Sequence, residues 1–217
     1  MKRRKIFGLW ILTVLFLLGV GCAGVPVREA VKVNMSVPVG KIESNKFTGI
    51  RYPLKISAPL GWTITTEYPK FMVDLGFEKE GLEESQVFIY NPATQSNVQI
   101  DFTPADRYTT FDQKKIEWLT TAATGSFKDE LQKQLGKQVQ AEVSPMEPYS
   151  LKGVPYAAKI QASYLQKGVK VEQGWIYAFA EPYQIFILYM IMDPERANDR
   201  QDLKTILSSF EFIPRKP

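Results

Sequence analysis

From Gly49 onward the hydrophobic pattern changes period several times. Tyr52–Ser57 (YPLKIS) and Trp62–Glu67 (WTITTE) read as strands around the turn residues Ala58-Pro59-Leu60-Gly61. Tyr68–Glu84 has no sustained period and reads as a short helix or an irregular loop. Gln86–Tyr90 and Asn97–Thr103 flank Asn91-Pro92-Ala93-Thr94, whose turn chemistry makes them a hairpin. In its second strand Val98, Ile100 and Phe102 alternate with Gln99, Asp101 and Thr103, so the first set is expected in a core and the second in solvent. Ile116, Leu119, Ala123, Phe127, Leu131 and Leu135 recur at spacings of three and four. That spacing predicts a helix from about Asp112 to Leu135, with Gly125 a candidate kink and Gly136 the stop. Strands are expected at Val139–Val143, Tyr156–Leu165, Val169–Ala180 and Gln184–Met192, with tight turns at Lys167-Gly168 and Glu181-Pro182-Tyr183. Ile185–Met192 (IFILYMIM) is almost continuously apolar, as in a central strand covered on both faces. A second helix, about Glu195–Ser209, carries the stripe Leu203, Ile206, Leu207 and Phe210.

This order implies an α+β fold: a mostly antiparallel sheet flanked by two amphipathic helices, each covering a face or both sharing one. Ala23–Phe47 has no sustained period and reads as a linker. Val31–Val39 partly alternates, but Pro38 limits it to a short edge strand. The expected division is a signal peptide over 1–21, a lipidated N-terminus and linker over 22–48, and one globular α+β domain over 49–217.

The N-terminus changes the picture of charge. Lys2, Arg3, Arg4 and Lys5 precede an apolar run, Ile6–Leu18, and then Gly19-Val20-Gly21-Cys22. This is the three-part layout of an export signal. Removing residues 1–21 takes away four of the 27 basic side chains and none of the 23 acids, so the remainder is formally neutral. The basic pI of about 9.0 therefore belongs to the signal, and nucleic acid is not an expected partner. Gly19–Cys22 resembles the lipobox of bacterial lipoproteins, with one departure: Gly19 stands where Leu is customary, and Leu18 lies one place earlier. The resemblance implies acylation of Cys22, including palmitate, and attachment to the membrane through lipid. Ala23, where an aspartate would signal inner-membrane retention, points to the outer membrane, with the inner membrane or cell surface as alternatives. An uncleaved Ile6–Val27 anchor is the competing reading, weakened by Gly19, Gly21, Gly24 and Pro26.

Two further segments carry a resemblance. Tyr52–Trp62 (YPLKISAPLGW) and Ile206–Phe212 (ILSSFEF) are similar to the opening strand with its Pro-x-Gly-Trp turn, and to the closing helix, of PsbP-like and DcrB-like domains. The resemblance covers about Gly49–Pro214. It implies an α/β/α sandwich and an accessory, binding or assembly role without a shared catalytic motif. Trp62 is then expected to be buried behind its turn.

The residues offer little chemistry of their own. There is no histidine, and the single cysteine is Cys22, so the commonest metal ligand, the commonest general base and any internal disulfide are missing. Glu78, Glu80, Glu83 and Glu84 form an acidic stretch that reads as a solvated loop rather than a calcium site. No Gly-x-Ser-x-Gly elbow or nucleotide-binding glycine loop is present, and Ser57/Lys55 and Ser150/Lys152 match no catalytic spacing. Asp101, beside Ile100 and Phe102, is the acid that a carboxylate hydrolase would use. Trp118, Trp175, Tyr177, Phe179, Tyr183, Phe186 and Tyr189 are either core or the walls of an apolar groove. The expectation is a lipid-anchored, non-enzymatic accessory or binding module of the cell envelope. It has no catalytic residue, metal or cofactor, and its partner is an envelope protein or an apolar ligand. The alternatives are an envelope hydrolase using carboxylates and a carrier of a small apolar ligand.

Overall fold

A computed structural model describes residues 27–75, 79, 86–137, 139–195 and 198–214. The expected signal peptide over 1–21, Cys22 and the acidic stretch Glu78, Glu80, Glu83 and Glu84 lie outside the described residues. Contacts divide the described residues into two units, 27–29 with 106–110 and those of 30–105 with those of 111–214.

In the first unit, Arg28 donates to the carbonyls of Asp106 (2.7 Å) and Thr109 (2.8 Å). Its backbone N–H donates to the Arg107 carbonyl at 2.9 Å. Asp106 closes the loop locally by accepting from the Thr109 hydroxyl and the Tyr108 N–H. The Thr109 hydroxyl bond, then the Tyr108 N–H, hold the Asp106 carboxyl below its ordinary value.

The second unit holds two sheets and three helices among the described residues. The large sheet comprises β4 (Thr63–Thr65), β5 (Val87–Tyr90), β6 (Asn97–Pro104), β7 (Glu142–Val143), β8 (Glu147–Pro148), β9 (Tyr156–Gln166), β10 (Val169–Ala180) and β11 (Tyr183–Met192). Its order is β4-β5-β6-β11-β10-β9-β7, with β8 also on β9, and every pairing is antiparallel. The small antiparallel sheet runs β1 (Gly40–Glu43), β2 (Lys46–Gly49), β3 (Leu54–Ser57), β12 (Glu211–Phe212). The helices are α1 (Phe71–Asp74), α2 (Gln113–Leu135) and α3 (Asp199–Ser209). Lys167 and Gly168 both take positive φ, the geometry a two-residue β9–β10 hairpin requires.

α2 and α3 take opposite faces of the large sheet. Asp112 caps α2 by accepting from the Lys115 N–H at 2.7 Å, and Gly136 ends it with φ of 95°. Ile116 packs with Ala158 and Phe179, and Leu131 with Tyr164 and Val171. The Trp175 indole donates to the Thr120 carbonyl at 3.0 Å. On the other face Leu203, Ile206, Leu207 and Phe210 of the α3 segment join Ile176, Ala178, Ile185, Ile187 and the small sheet in the main core. Trp62, 2% exposed, lies in this core as expected, and its indole donates to Asp202 at 2.9 Å. Asp199, one turn earlier on α3, accepts from Asn91 (3.0 Å) and Thr94 (2.5 Å), tying the β5–β6 turn to the helix.

Several expectations need correction. The segment read as linker through residue 48 contains β1 and β2, and Phe47 is fully buried. Val31–Val39 is not a strand: the Asn34 side chain forms a turn with Ser36, and Arg51 donates to the carbonyls of Met35 and Val37 that a neighbouring strand would have used. Gln99 does not face solvent but is buried, and Asp101 is half-buried, because the second face of β6 is itself covered in part. β11 is central, but only its core-side residues are all buried; Phe186 and Leu188 on the other face are half-buried. The closing helix begins at Asp199 rather than near Glu195, and Trp118 is exposed, its ring under the Lys115 ammonium at 4.4 Å.

Candidate functional site

The α3-side layer does not reach the whole of the large sheet, and the change is written into β10. From Ile176 the core-facing residues are apolar (Ile176, Ala178, Ala180); before it they are Lys170, Glu172 and Gly174. The same face of β9 presents Lys159, Gln161 and Ser163, while Ala158, Ile160, Ala162 and Tyr164 point to the α2 side. These polar residues floor a trough of about 600 Å³ whose rim is the β7–β8 edge, Glu142 to Glu147. The edge is bulged. Ser144 exchanges backbone and hydroxyl hydrogen bonds with Gln161 (2.8 and 3.0 Å), which swings Pro145 and Met146 out of register.

Gly174 follows Glu172 on the same face of β10, beside the trough. It pairs with Gln161 on one side and Tyr189 on the other. The Tyr189 ring lies across it, so that a Cβ at position 174 would overlap the ring and hydroxyl. The hydroxyl thereby reaches over β10 and donates to Gln161 Oε1 at 3.2 Å. Burial, then the nearby Tyr149 and Glu172, push the Tyr189 hydroxyl well above its ordinary value, so it stays protonated and neutral. Burial, then Glu147, raise Tyr149 in the same way.

The main charges of the trough are matched within the chain. Glu172, 7% exposed, receives both Nε and a terminal nitrogen of Arg200 from α3. This bond is the first cause of the upward shift of the Arg200 guanidinium. Lys159 lies 2.8 Å from Glu147 and 5.1 Å from the centre of the Tyr149 ring. Lys170 reaches Glu195 at 3.4 Å. What remains is a concave surface in which Ser144, Gln161 and Ser163 alternate with small apolar groups, bordered by these ion pairs and by Glu142.

The residues singled out from sequence are not brought together. Asp101 lies on the α2-side face of β6 opposite Phe186, away from the trough face. Ser57 is clamped to Ser209 through its backbone, with bonds of 2.9 and 3.0 Å, and Lys152 is paired with Glu211 at 2.9 Å. Trp175, Tyr177 and Phe179 share one face of β10 and pack toward α2. Among the described residues no group of three or more Cys, His, Asp or Glu is placed to hold a metal ion, and no helix is long and apolar enough to cross a membrane. Glu172, Gly174 and Tyr189 were not recognised as a set; a glycine in the middle of a long strand, at the point where its face turns from polar to apolar, is the signal that marks them.

This architecture defines an α+β protein of the PsbP-like fold. The chain is similar to cyanobacterial PsbP (CyanoP) from Synechocystis sp. PCC 6803, with a TM-score of 0.52 at 11% identity, covering 84% of this chain and 98% of that one. Two other solved structures are similar at a TM-score of 0.49. One is LpqN of Mycobacterium tuberculosis, described as involved in cell envelope biogenesis (11% identity, 74% of this chain and 83% of that one). The other is a protein from Bacteroides thetaiotaomicron VPI-5482 (9% identity, 80% and 50%). At these identities the likeness is one of fold. No family model and no curated protein matches the chain.

Proposed function

We propose that this chain is a lipid-anchored, non-enzymatic accessory module of the bacterial cell envelope, and that its trough is the surface through which it binds a polar partner. The observation that carries the reading is the state of the trough's side chains: Glu172 is held by Arg200 and Glu147 by Lys159, which leaves hydrogen-bonding groups such as Gln161 and Ser163 facing the opening. Carboxylate hydrolysis needs one acid that carries a proton and one free carboxylate across a cleft; with Glu172 and Glu147 committed to cations, Glu142 on the rim has no second acid to work with. An open trough that mixes polar and apolar groups does not enclose an apolar cargo either. The envelope address rests on the basic, apolar and small-residue layout ending at Cys22.

Two experiments test the reading. Cys22→Ser should be exported yet no longer sediment with membranes; a mutant that stays membrane-bound through Ile6–Val27 refutes the lipid anchor. A photo-crosslinking residue at Ser163, in the trough, should capture a discrete envelope partner in cells, whereas one at the exposed Lys55 should not. Equal yields from both positions, or turnover of an envelope substrate that is lost in Glu172→Gln, would refute the binding role of the trough.

A further inference from the structure

On the opposite face of the sheet, β6 is polar where its neighbours are not. Asn97 is opposite Met190 and Tyr90, and Gln99 is opposite Leu188 and Phe88. Asn97 is 1% exposed and Gln99 4%. Met72 of α1 packs on Phe88 beside them. Asn97 Nδ2 donates to the Gln95 carbonyl at 3.0 Å, which fixes the orientation of its amide and turns Oδ1 away. That Oδ1, an acceptor, has no donor, and Gln99 Nε2, a donor, has no acceptor. Buried amide groups in this condition are rare and costly. Here two of opposite type stand on the same face of one strand.

Residues two apart on a strand have Cα atoms about 6.8 Å apart, and hydrogen bonds to oxygen span about 2.8–3.0 Å. Two such bonds to one shared oxygen span about the distance between neighbouring side chains on that face. We propose that β6 carries a hydroxyl-binding site, in which one O–H group donates to Asn97 Oδ1 and accepts from Gln99 Nε2. The chemistry is selective. An ether or ketone would satisfy Gln99 and leave Asn97 unmet. A cation would meet the Asn97 oxygen but face the Gln99 N–H donor with a positive charge. An anion finds no opposing charge in two neutral amides between Phe88, Leu188 and Met190, and the Asp101 carboxylate, next on the same face of the strand, repels it. The hydroxyl is supplied either by a water held within the fold or by a small alcohol whose carbon chain lies on those apolar neighbours. The site is independent of the trough.

The test uses side-chain amide NMR signals of the full-length protein in detergent micelles, with 1-butanol and its isomer methyl propyl ether as probes. A held water gives the Gln99 Nε2 protons a long-lived magnetisation transfer from water that butanol does not displace. An alcohol site gives saturable shifts of the Gln99 and Asn97 side-chain signals with 1-butanol, and binding about tenfold weaker with the ether, which cannot donate. Either result supports the site, and Gln99→Met should abolish it while the Asn97 Nδ2 signal persists. Three results overturn it: a direct hydrogen-bond coupling between Gln99 Nε2 and Asn97 or Asp101, saturable shifts of equal strength with butanol and ether, or Gln99 protons with neither water transfer nor butanol response. Because all three are read on the unmutated protein, a misfolded Gln99→Met would not rescue the proposal.

Discussion

Removing residues 27–48, or emptying the position of Phe47 alone, should unfold far more than a linker would. Phe47 sits on β2, fully buried in the main core beside Leu54 and Ile56. Replacing a buried phenylalanine by alanine costs about 3–5 kcal/mol through lost burial and the cavity left behind. In a chain of this size each kcal/mol moves the melting temperature by about 2–4 °C, so Phe47→Ala should melt at least ~6 °C, and about 12 °C on central values, below the parent. Truncation to 49–217 loses Phe47, the β2–β3 ladder, and the contacts of Val31, Val33 and Val39, which are half-buried against the same core. Full burial of an apolar side chain is worth about 1.5–3 kcal/mol, and half of that for three valines adds about 2–4. The sum, about 5–9 kcal/mol, is of the order of the entire stability of a typical domain, about 5–15 kcal/mol. Urea titration of 30–217, its Phe47→Ala variant and 49–217, followed by tryptophan fluorescence, measures all three. A 49–217 fragment with the same midpoint and slope as 30–217 would refute the reasoning and make β1–β2 an appendage.

The remaining expectations concern single sites. Trp62→Ala should cost about 3–5 kcal/mol, and a double-mutant cycle with Asp202→Ala should give a coupling of about 1.5–3 kcal/mol for the indole–carboxylate bond; additive losses in denaturation would deny that bond. Asp199→Ala should release the Asn91–Thr94 turn and cost about 1–3 kcal/mol, visible as faster amide exchange in that turn; protection unchanged there would contradict it. Gly174→Ala should displace the Tyr189 ring and destabilise by about 1–3 kcal/mol, the usual range for overpacking, while weakening any crosslink captured from Ser163; a crystal structure with Tyr189 unmoved would refute the assignment. The carboxyl of Asp106 should titrate by NMR below its ordinary 3.8 because its hydrogen bonds favour the charged form. Its contribution to loop order is then complete above the unfolded value and lost as pH falls through the folded one, and an ordinary midpoint would show that the Thr109 bond is absent in solution.

Much of the architecture was legible in the sequence because period and burial agree wherever one face of an element meets a core. The stripe Ile116 to Leu135 marked α2, Leu203 to Phe210 marked α3, and the turn residues Asn91–Thr94 with the alternation in NVQIDFT marked the β5–β6 hairpin. Of the small sheet only β3 was legible; β1, β2 and β12 were hidden because they are two to four residues long, below the length at which a period of two can be told from chance. Phe47 stands as a single buried residue in GKIE…KFTG, and the β1 side chains are mostly exposed. Gln99 was misread for a different reason. Alternation gives the direction of a side chain but not what covers it, and the second face of β6 has its own partial cover. Long-range partners such as Glu172 and Arg200, or Trp62 and Asp202, leave no local trace.

The trough follows from a mismatch of lengths. β9 and β10 run 11 and 12 residues, longer than the layer that covers them on the α3 side. The uncovered end must be polar to remain in water, and solvation alone would ask no more than that. What is found there is more ordered. Arg200 crosses from α3 to grip Glu172 with two nitrogens, Lys159 links β9 to Glu147 on β8, and Tyr189 spans three strands to reach Gln161. Long charged side chains on an open surface ordinarily lose rotamer freedom when a partner docks, and that loss weakens binding by about 0.5–1.5 kcal/mol for each one immobilised. Side chains already held by one another have lost much of that freedom on folding. A partner that hydrogen-bonds to Gln161 and Ser163 therefore meets a surface organised in advance, which is a reason, beyond its concavity, to read this end of the sheet as the place where the protein binds.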